Sequence, residues 1–356
     1  MITKSEVLYA LKDVQDPELH KSLVELNMVR DIHIDGTKVS LNVILTIQGC
    51  PLKAKIQEDV EKAIKALGAT EVNVEFGAMT EQERGELSAN LRGGAQPAAV
   101  SPLLAPDSPT TFVAITSGKG GVGKSTVTVN LATALARLGK RVGVVDADIY
   151  GFSVPDMMGI EQRPTVIDNV VLPVQRFGVK VISMGFFVED NSPIIWRGPM
   201  LGKMLRNFFA EIHWGDLDYL LLDLPPGTGD VALDVHQMIP QSKEIIVTTP
   251  HPTAAFVAAR AGNMAVKTGH EILGVVENMS YLECGECGHH ETIFGKGGGQ
   301  KLADDLNTSL LSQIPLGQPD YDPSNPDSAP SIYEENSTIG KIYLEIAQEI
   351  VNKLNK

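Results

Sequence analysis

The chain has 356 residues, room for roughly two domains, and its 43% hydrophobic content with only 5% aromatic suits an α/β core rich in Val, Ile, Leu and Ala. Acids outnumber bases, 44 Asp and Glu against 30 Lys and Arg, for a net charge of −14; this argues against nucleic acid as the main partner, because phosphate contact relies on clustered basic side chains. No run approaches ~18 apolar residues, so no membrane-spanning helix is expected, and three cysteines permit no disulfide framework.

The first segment, Met1–Glu18, carries Lys4, Glu6, Lys12, Asp13 and Asp16 among its apolar residues. It lacks a secretory apolar region and is too acidic for a transit peptide. The expected location is the cytoplasm, or an organellar stroma or matrix if a presequence has been removed. Ser5–Val14 has helical spacing, Asp31–Ile34 and Lys38–Leu45 alternate like strands, Pro51–Leu67 is helical again, and Glu71–Phe76 closes the unit as a strand. These elements predict a small α+β domain over residues 1–77. Cys50 stands just before the helix led by Pro51, where a helix N-terminus lowers a thiol pKa and suits transient ligation; a buried, inert cysteine fits the same position.

Residues 78–110 read as a linker. The charged tract Thr80–Arg92 is either helical or part of it, and Gly93–Thr111 holds Pro97, Pro102, Pro106 and Pro109 among Gly, Ala and Ser.

Over residues 111–356 strands alternate with helices. Phe112–Thr116, Arg141–Val145, Val179–Ser183, Tyr219–Asp223, Glu244–Thr248 and Ile272–Glu277 are apolar without strict alternation, as strands buried on both faces are. Ser125–Leu138, Pro199–His213, Thr253–Lys267 and Ile339–Leu354 have helical spacing. The expected fold is α/β: a doubly wound, mostly parallel sheet with its ligand at the carboxyl ends of the strands.

Between the first of these strands and the first helix lies Gly118-Lys119-Gly120-Gly121-Val122-Gly123-Lys124-Ser125-Thr126, a phosphate-binding loop in the required strand–loop–helix context. Its glycines let successive backbone N–H groups face one anion, and the helix start adds positive potential. Lys124 is placed for the β- and γ-phosphates of ATP and Ser125 for Mg²⁺. Two further strands end in acids, Asp146-Ala147-Asp148 and Asp223-Leu224-Pro225-Pro226-Gly227-Thr228-Gly229-Asp230. An acid there is poorly placed for stability but well placed to meet Mg²⁺ through water. Asp230 reads either as part of that site or as a helix cap. No nucleophile elbow competes, since Gly151-Phe152-Ser153 lacks the closing glycine.

Cys284-Gly285-Glu286-Cys287-Gly288-His289-His290 is a metal-binding pattern supplying half a tetrahedral site. The same pair from a second chain completes it, as does His289 or His290 in a zinc knuckle. Gly295-Lys296-Gly297-Gly298-Gly299 lacks the closing Gly-Lys-Ser of a phosphate loop and reads as a flexible turn.

Lys119, five residues ahead of Lys124, makes the loop resemble the MinD-like class of deviant P-loop ATPases, whose extra lysine reaches the nucleotide across a homodimer. With Trp196-Arg197-Gly198-Pro199, Asn278-Met279-Ser280 and the cysteine pair, the chain from Thr111 to about Tyr321 resembles the Mrp/ApbC family of iron–sulfur cluster carrier ATPases. Asp16-Pro17-Glu18-Leu19 and Thr46-Ile47-Gln48-Gly49-Cys50-Pro51 resemble the small iron–sulfur-assembly-type domain often fused to it.

The resemblance implies a homodimer that binds a 4Fe–4S cluster through Cys284 and Cys287 and passes it to apoproteins under control of ATP hydrolysis. It further implies that Asp223 is the Walker B acid, that Asp148 orients the attacking water with Asp146 in support at the Mg²⁺ site, that Asn278 contacts adenine, and that Cys50 is the small domain's reactive cysteine. Two other readings stand beside it. One is an ATPase with structural zinc and no cluster role. The other is a MinD/ParA-type positioning ATPase, which needs a basic terminus or face; here Lys341, Lys353 and Lys356 are mixed with Glu345 and Glu349.

Overall fold

The computed structural model describes every residue except 1, 20, 47–51, 92–100, 106, 149–150, 168–169, 188–197 and 356. Cys50 with most of its motif, Trp196, Arg197 and much of the expected linker therefore lie outside the described residues. The chain forms two compact units, one of residues 1–97 with 165–172 and one of residues 98–164 with 173–356.

In the first unit, α1 (Lys4–Ala10) starts at a capping box: Thr3 Oγ1 accepts from the Glu6 N–H, and the Glu6 carboxylate accepts from the Thr3 N–H. Strands β1 (Val29–Asp35) and β2 (Lys38–Leu45) are antiparallel, helix α2 (Lys53–Lys65) follows, and β3 (Glu71–Ala78) returns parallel to β2. The alternation of β2 buries Val39, Leu41, Val43 and Leu45 against Ile56, Val60 and Ile64, spaced on one face of α2. The charged tract after β3 is helical, α3 (Glu81–Leu91), and Leu87 and Leu91 join this core.

The second unit runs β4 (Thr111–Ser117), α4 (Lys124–Arg137), β5 (Val142–Asp146) and α5 (Val154–Met157). The chain then leaves it for a hairpin, β6 (Thr165–Ile167) and β7 (Val170–Leu172), that belongs to the first unit. Back in the second unit come β8 (Val174–Arg176), β9 (Val179–Ser183), α6 (Gly198–Ala210), β10 (Tyr219–Asp223), α7 (Asp230–Met238), β11 (Lys243–Thr248), α8 (Pro252–Lys267) and β12 (Glu271–Glu277). A small hairpin, β13 (Leu282–Glu283) with β14 (His290–Glu291), precedes α9 (Gly298–Asp305), β15 (Leu310–Gln313) and α10 (Thr338–Leu354).

The main sheet has the order β15-β12-β11-β4-β10-β5-β9-β8, parallel throughout except for edge strand β8. Central strands β4, β5 and β10 are buried on both faces, which accounts for their unalternating sequences. This is the expected doubly wound fold. β4 lies between β11 and β10, so the phosphate loop, Asp223 and Asp146 emerge side by side at the carboxyl ends of the central strands. The two edge strands β8 and β15, and helices α5, α7 and α9, go beyond the sequence expectation.

The hairpin β6–β7 departs from the sequence division, which gave residues 111–356 to one domain. Ile167, Val170 and Leu172 are buried in the core that α1, β2 and α2 build. Asp16 shapes the neighbouring turn, its Oδ1 accepting from the Glu18 and Leu19 N–H groups at 2.9 Å each. Glu18 in turn accepts from the Thr165 hydroxyl at 2.8 Å.

Burial pushes the Glu18 carboxyl above its ordinary value, with the Thr165 bond opposing and the Asp16 charge adding to the rise. A raised carboxyl pKa means that the folded state binds the proton more tightly, so this group's contribution falls as pH rises above the unfolded carboxylate range. Glu18→Gln keeps an acceptor for Thr165 without the charge. Its melting temperature is expected to exceed wild type near about pH 7, with the gap closing as pH falls toward about 4.3. A gap that widens on acidification would contradict this account.

Candidate functional site

The phosphate loop turns through glycines in the left-handed region, Gly121 at φ 78° and Gly123 at φ 81°, before α4 begins at Lys124. Close packing fixes Gly118 as well, and constrains Gly123 a second time. A Cβ on Gly118 would overlap the backbone of Ala258 in α8, and one on Gly123 would overlap the Asn278 amide. The first contact explains why α8 buries Ala254, Ala255, Ala258, Ala261, Gly262 and Ala265: only small residues let that helix lie so close to the loop.

Lys124 is only 6% exposed, and its Nζ pairs with Asp223 Oδ1 at 2.8 Å. Ser125 Oγ donates to Asp223 Oδ2 and Thr128 Oγ1 to Asp223 Oδ1, each at 2.6 Å. Asp223 thus gathers the lysine and hydroxyl expected at the phosphates and Mg²⁺. After β10 the chain runs beside the loop, Leu224 N–H donating to Ile115 O and Gly227 N–H to Ser117 O. Asp230 begins α7 with Gly229 as the cap residue, so the cap falls one position before Asp230.

Asp146 stands directly opposite Asp223 in the β5–β10 register and is fully buried. Its Oδ2 accepts from Ser183 Oγ at 2.9 Å and from the Ser153 and Val154 N–H groups at 3.1 and 3.2 Å. Burial, and then the charge of Asp223, push this carboxyl up to about 7. A carboxylate so enclosed supports the strand ends rather than reaching into solvent. Asp148 is half-buried and accepts from the Gly151 N–H at 3.2 Å; burial raises its pKa, and Lys124 opposes the rise. Lys119 is exposed, its carbonyl accepting from Ser117 Oγ at 3.1 Å. Asn278 is 6% exposed and donates through Nδ2 to Val122 O at 3.0 Å, so it braces the phosphate loop.

Cys284 and Cys287 are both exposed on the β13–β14 hairpin, which closes through Cys284 N–H to His289 O and Gly288 N–H to Cys284 O, each at 2.9 Å. Backbone N–H groups of Glu286 and Cys287 lower the Cys284 thiol below its ordinary value, as a metal-ready thiolate requires. His290 stacks on Tyr281, ring centroids 4.0 Å apart and 19° between planes. Among the described residues no His, Asp or Glu joins this cysteine pair in a ligand-sized group. Leu282, Ile293 and Phe294 are 39%, 51% and 41% exposed beside it.

The described residues hold one such group elsewhere, His236, Glu244 and His270, with ligand atoms within 4.8 Å of one another. Its two imidazoles stack at 4.3 Å with 25° between planes. Metal-bound imidazoles point their in-plane lone pairs at one ion, and rings stacked this way do not converge. Thr268 bridges both Nδ1 atoms, at 3.1 Å from His236 and 2.8 Å from His270, and His236 Nε2 meets the Glu244 carboxylate. This is a polar brace between α7, β11 and the end of α8. No short motif could reveal it.

The description of the NUBPL iron-transfer P-loop NTPase family matches residues 109–351, and that of the iron-sulfur cluster assembly proteins matches residues 4–76. The chain belongs to the iron-transfer P-loop NTPases. It is 56% identical to an iron-sulfur cluster carrier protein of Bacillus subtilis (strain 168), covering 100% of this chain and 99% of that one. A carrier protein of the same description from Haemophilus influenzae is 36% identical over 99% of this chain and 92% of its own. Among solved structures, a nucleotide-binding protein of Archaeoglobus fulgidus in complex with ADP, with cobalt found in it, is 34% identical, with a TM-score of 0.52 over 76% of this chain and 93% of that one. The glycine-rich loop at Gly118–Thr126 lies within the first of these matches, and the second falls within the small unit. No described helix is long and apolar enough to cross a membrane.

The packing of the loop separates two chemically identical changes. Gly118→Ala would drive β4 and α8 apart at a cost of about 1–3 kcal/mol. Gly120→Ala would meet nothing nearer than Pro226 Cγ at 4.0 Å, a cost within about 0.5 kcal/mol. Denaturant midpoints of the two variants are expected to differ accordingly, with nucleotide affinity falling further in Gly118→Ala; equal midpoints would contradict the packing.

Proposed function

We propose that this NTPase binds and hydrolyses ATP to carry a 4Fe–4S cluster, held between two copies of the chain, and to pass it to apoproteins. The observation that carries the reading is the exposed Cys284–Cys287 pair, activated by backbone N–H groups and completed by no histidine among the described residues. Each chain brings two thiolates and a cluster of this type normally takes four, so two facing chains satisfy the count. The apolar rim of Leu282, Ile293 and Phe294 suits burial in that homodimer. The stacking of His290 on Tyr281 favours this over the zinc knuckle.

Lys124 leaves Asp223 for the β- and γ-phosphates, a shift that keeps the ammonium paired throughout. The residues fit a Mg²⁺ ion at Ser125 Oγ and Asp223, two oxygen donors 2.6 Å apart at the loop mouth; Mg²⁺ there would neutralise phosphate charge. Asp146, on the neighbouring strand end, supports the Mg²⁺ site. Asp148 orients the attacking water, and the exposed Lys119 supplies its charge to the partner's nucleotide. Asn278, at the loop's edge, is the adenine contact. Cys50 is proposed as a transient ligand in handover.

Cys284→Ala and Cys287→Ala should each abolish the broad absorbance near ~400 nm gained on anaerobic reconstitution with iron and sulfide, while ATP affinity stays within about twofold. Reconstituted wild type should hold about one cluster per dimer. A strictly monomeric protein that keeps one zinc per chain and takes up no cluster would overturn the reading.

A further inference from the structure

The chain leaves the main sheet at Glu277, passes Asn278 and the cysteine hairpin, and returns at Gly298 to start α9. Both ends of this excursion are fastened to one side chain. Glu277 is 1% exposed; its Oε1 accepts from Ser280 Oγ at 2.8 Å and from Gln313 Nε2 at 2.7 Å, and its Oε2 accepts from the Gly299 N–H at 2.5 Å. A buried carboxylate is costly without such donors, and the start of α9 adds positive potential. The glycine run that reads from sequence as a flexible turn has a specific task here. A Cβ on Gly299 would lie 2.6 Å from Glu277 Cβ, and one on Gly298 would lie 2.5 Å from Pro250 O. Only glycine lets α9 begin against the carboxylate.

The other end of the path is the phosphate loop. Asn278, next to Glu277, donates to Val122 O, and Gly123 leaves no room between the loop and the Asn278 amide. A movement of Val122–Lys124 on phosphate therefore pushes or pulls Asn278. With Glu277 gripping Ser280 and Gly299, that displacement is directed into the excursion, where Tyr281 stacks on His290 of the cysteine hairpin.

We propose that Glu277 is a positioning residue that transmits nucleotide occupancy from the phosphate loop to Cys284 and Cys287. It touches neither nucleotide nor cluster, and its role rests on the carrier reading above. The test uses the full chain with Cys50→Ser, so that only Cys284 and Cys287 react with an aromatic disulfide reagent, with and without Mg²⁺ and a non-hydrolysable ATP analogue. The analogue is expected to change the labelling rate about fivefold or more, the lower range of ordinary site-to-site coupling. Glu277→Gln, which sets an amide against the Gly299 N–H, should bind the analogue within about twofold of the parent yet lose most of the labelling response. Ser280→Ala, a milder change that leaves the Gly299 bond, should weaken the response in the same direction and decides the matter if Glu277→Gln does not fold. A full response in the folded variants, or none in a parent that binds the analogue, would overturn the proposal. Labelling needs no iron, so failure to take up a cluster would defeat the carrier reading without being mistaken for failure of this one.

Discussion

At the carboxyl end of β10 a fully buried carboxylate, Asp223, holds together the groups that a phosphate site requires. Lys124, Ser125 and Thr128 all reach it from the first turn or so of α4. Ionised carboxylates lose several kcal/mol of hydration on burial, and only well-aligned charge and hydrogen bonds offset that loss. The arrangement therefore fixes the rotation of α4 and its distance from the sheet. It also constrains the neighbours. Asp146 beside it is pushed up to about 7 by burial and by the Asp223 charge, and Ser183 with two backbone N–H groups keeps it in place.

The same economy of space governs the loop's surroundings. The alanine face of α8 presses on Gly118, and Asn278 presses on Gly123, so the loop is bounded on two sides by elements that cannot move alone. From Asn278 the chain continues directly into the cysteine hairpin. Nucleotide site and thiol pair are thus successive stations along one stretch of chain, which gives the proposed carrier a physical route between its two chemistries.

The central strands were legible because burial on both faces leaves unbroken apolar runs, and β4, β9 and β10 lie where those runs predict to within a residue at either end. The phosphate loop was legible because its glycines and lysine sit at fixed spacing before a helix. The start of α9 was not, since glycines at 297–299 signal a turn and the true reason for two of them, contact of Gly298 with Pro250 and of Gly299 with Glu277, is long-range. Hairpin β6–β7 was missed for a related reason. Its three-residue strands are too short to show a period, and their partners lie in the first hundred residues. The acids at 146 and 223 announced themselves at strand ends, but nothing local shows that both are sealed from solvent. The His236–Glu244–His270 brace joins residues with no shared motif at all.

The central claim is that the cysteine hairpin delivers a cluster rather than merely holding a metal. The most direct measurement is the activation of an apoenzyme that needs a 4Fe–4S cluster, mixed anaerobically with the reconstituted protein in the presence of an iron chelator. The account predicts that the loaded protein activates the acceptor faster than equimolar free iron and sulfide, at a rate that changes when Mg²⁺ and ATP are added. Activation no faster than free iron and sulfide, and indifferent to nucleotide, would contradict it.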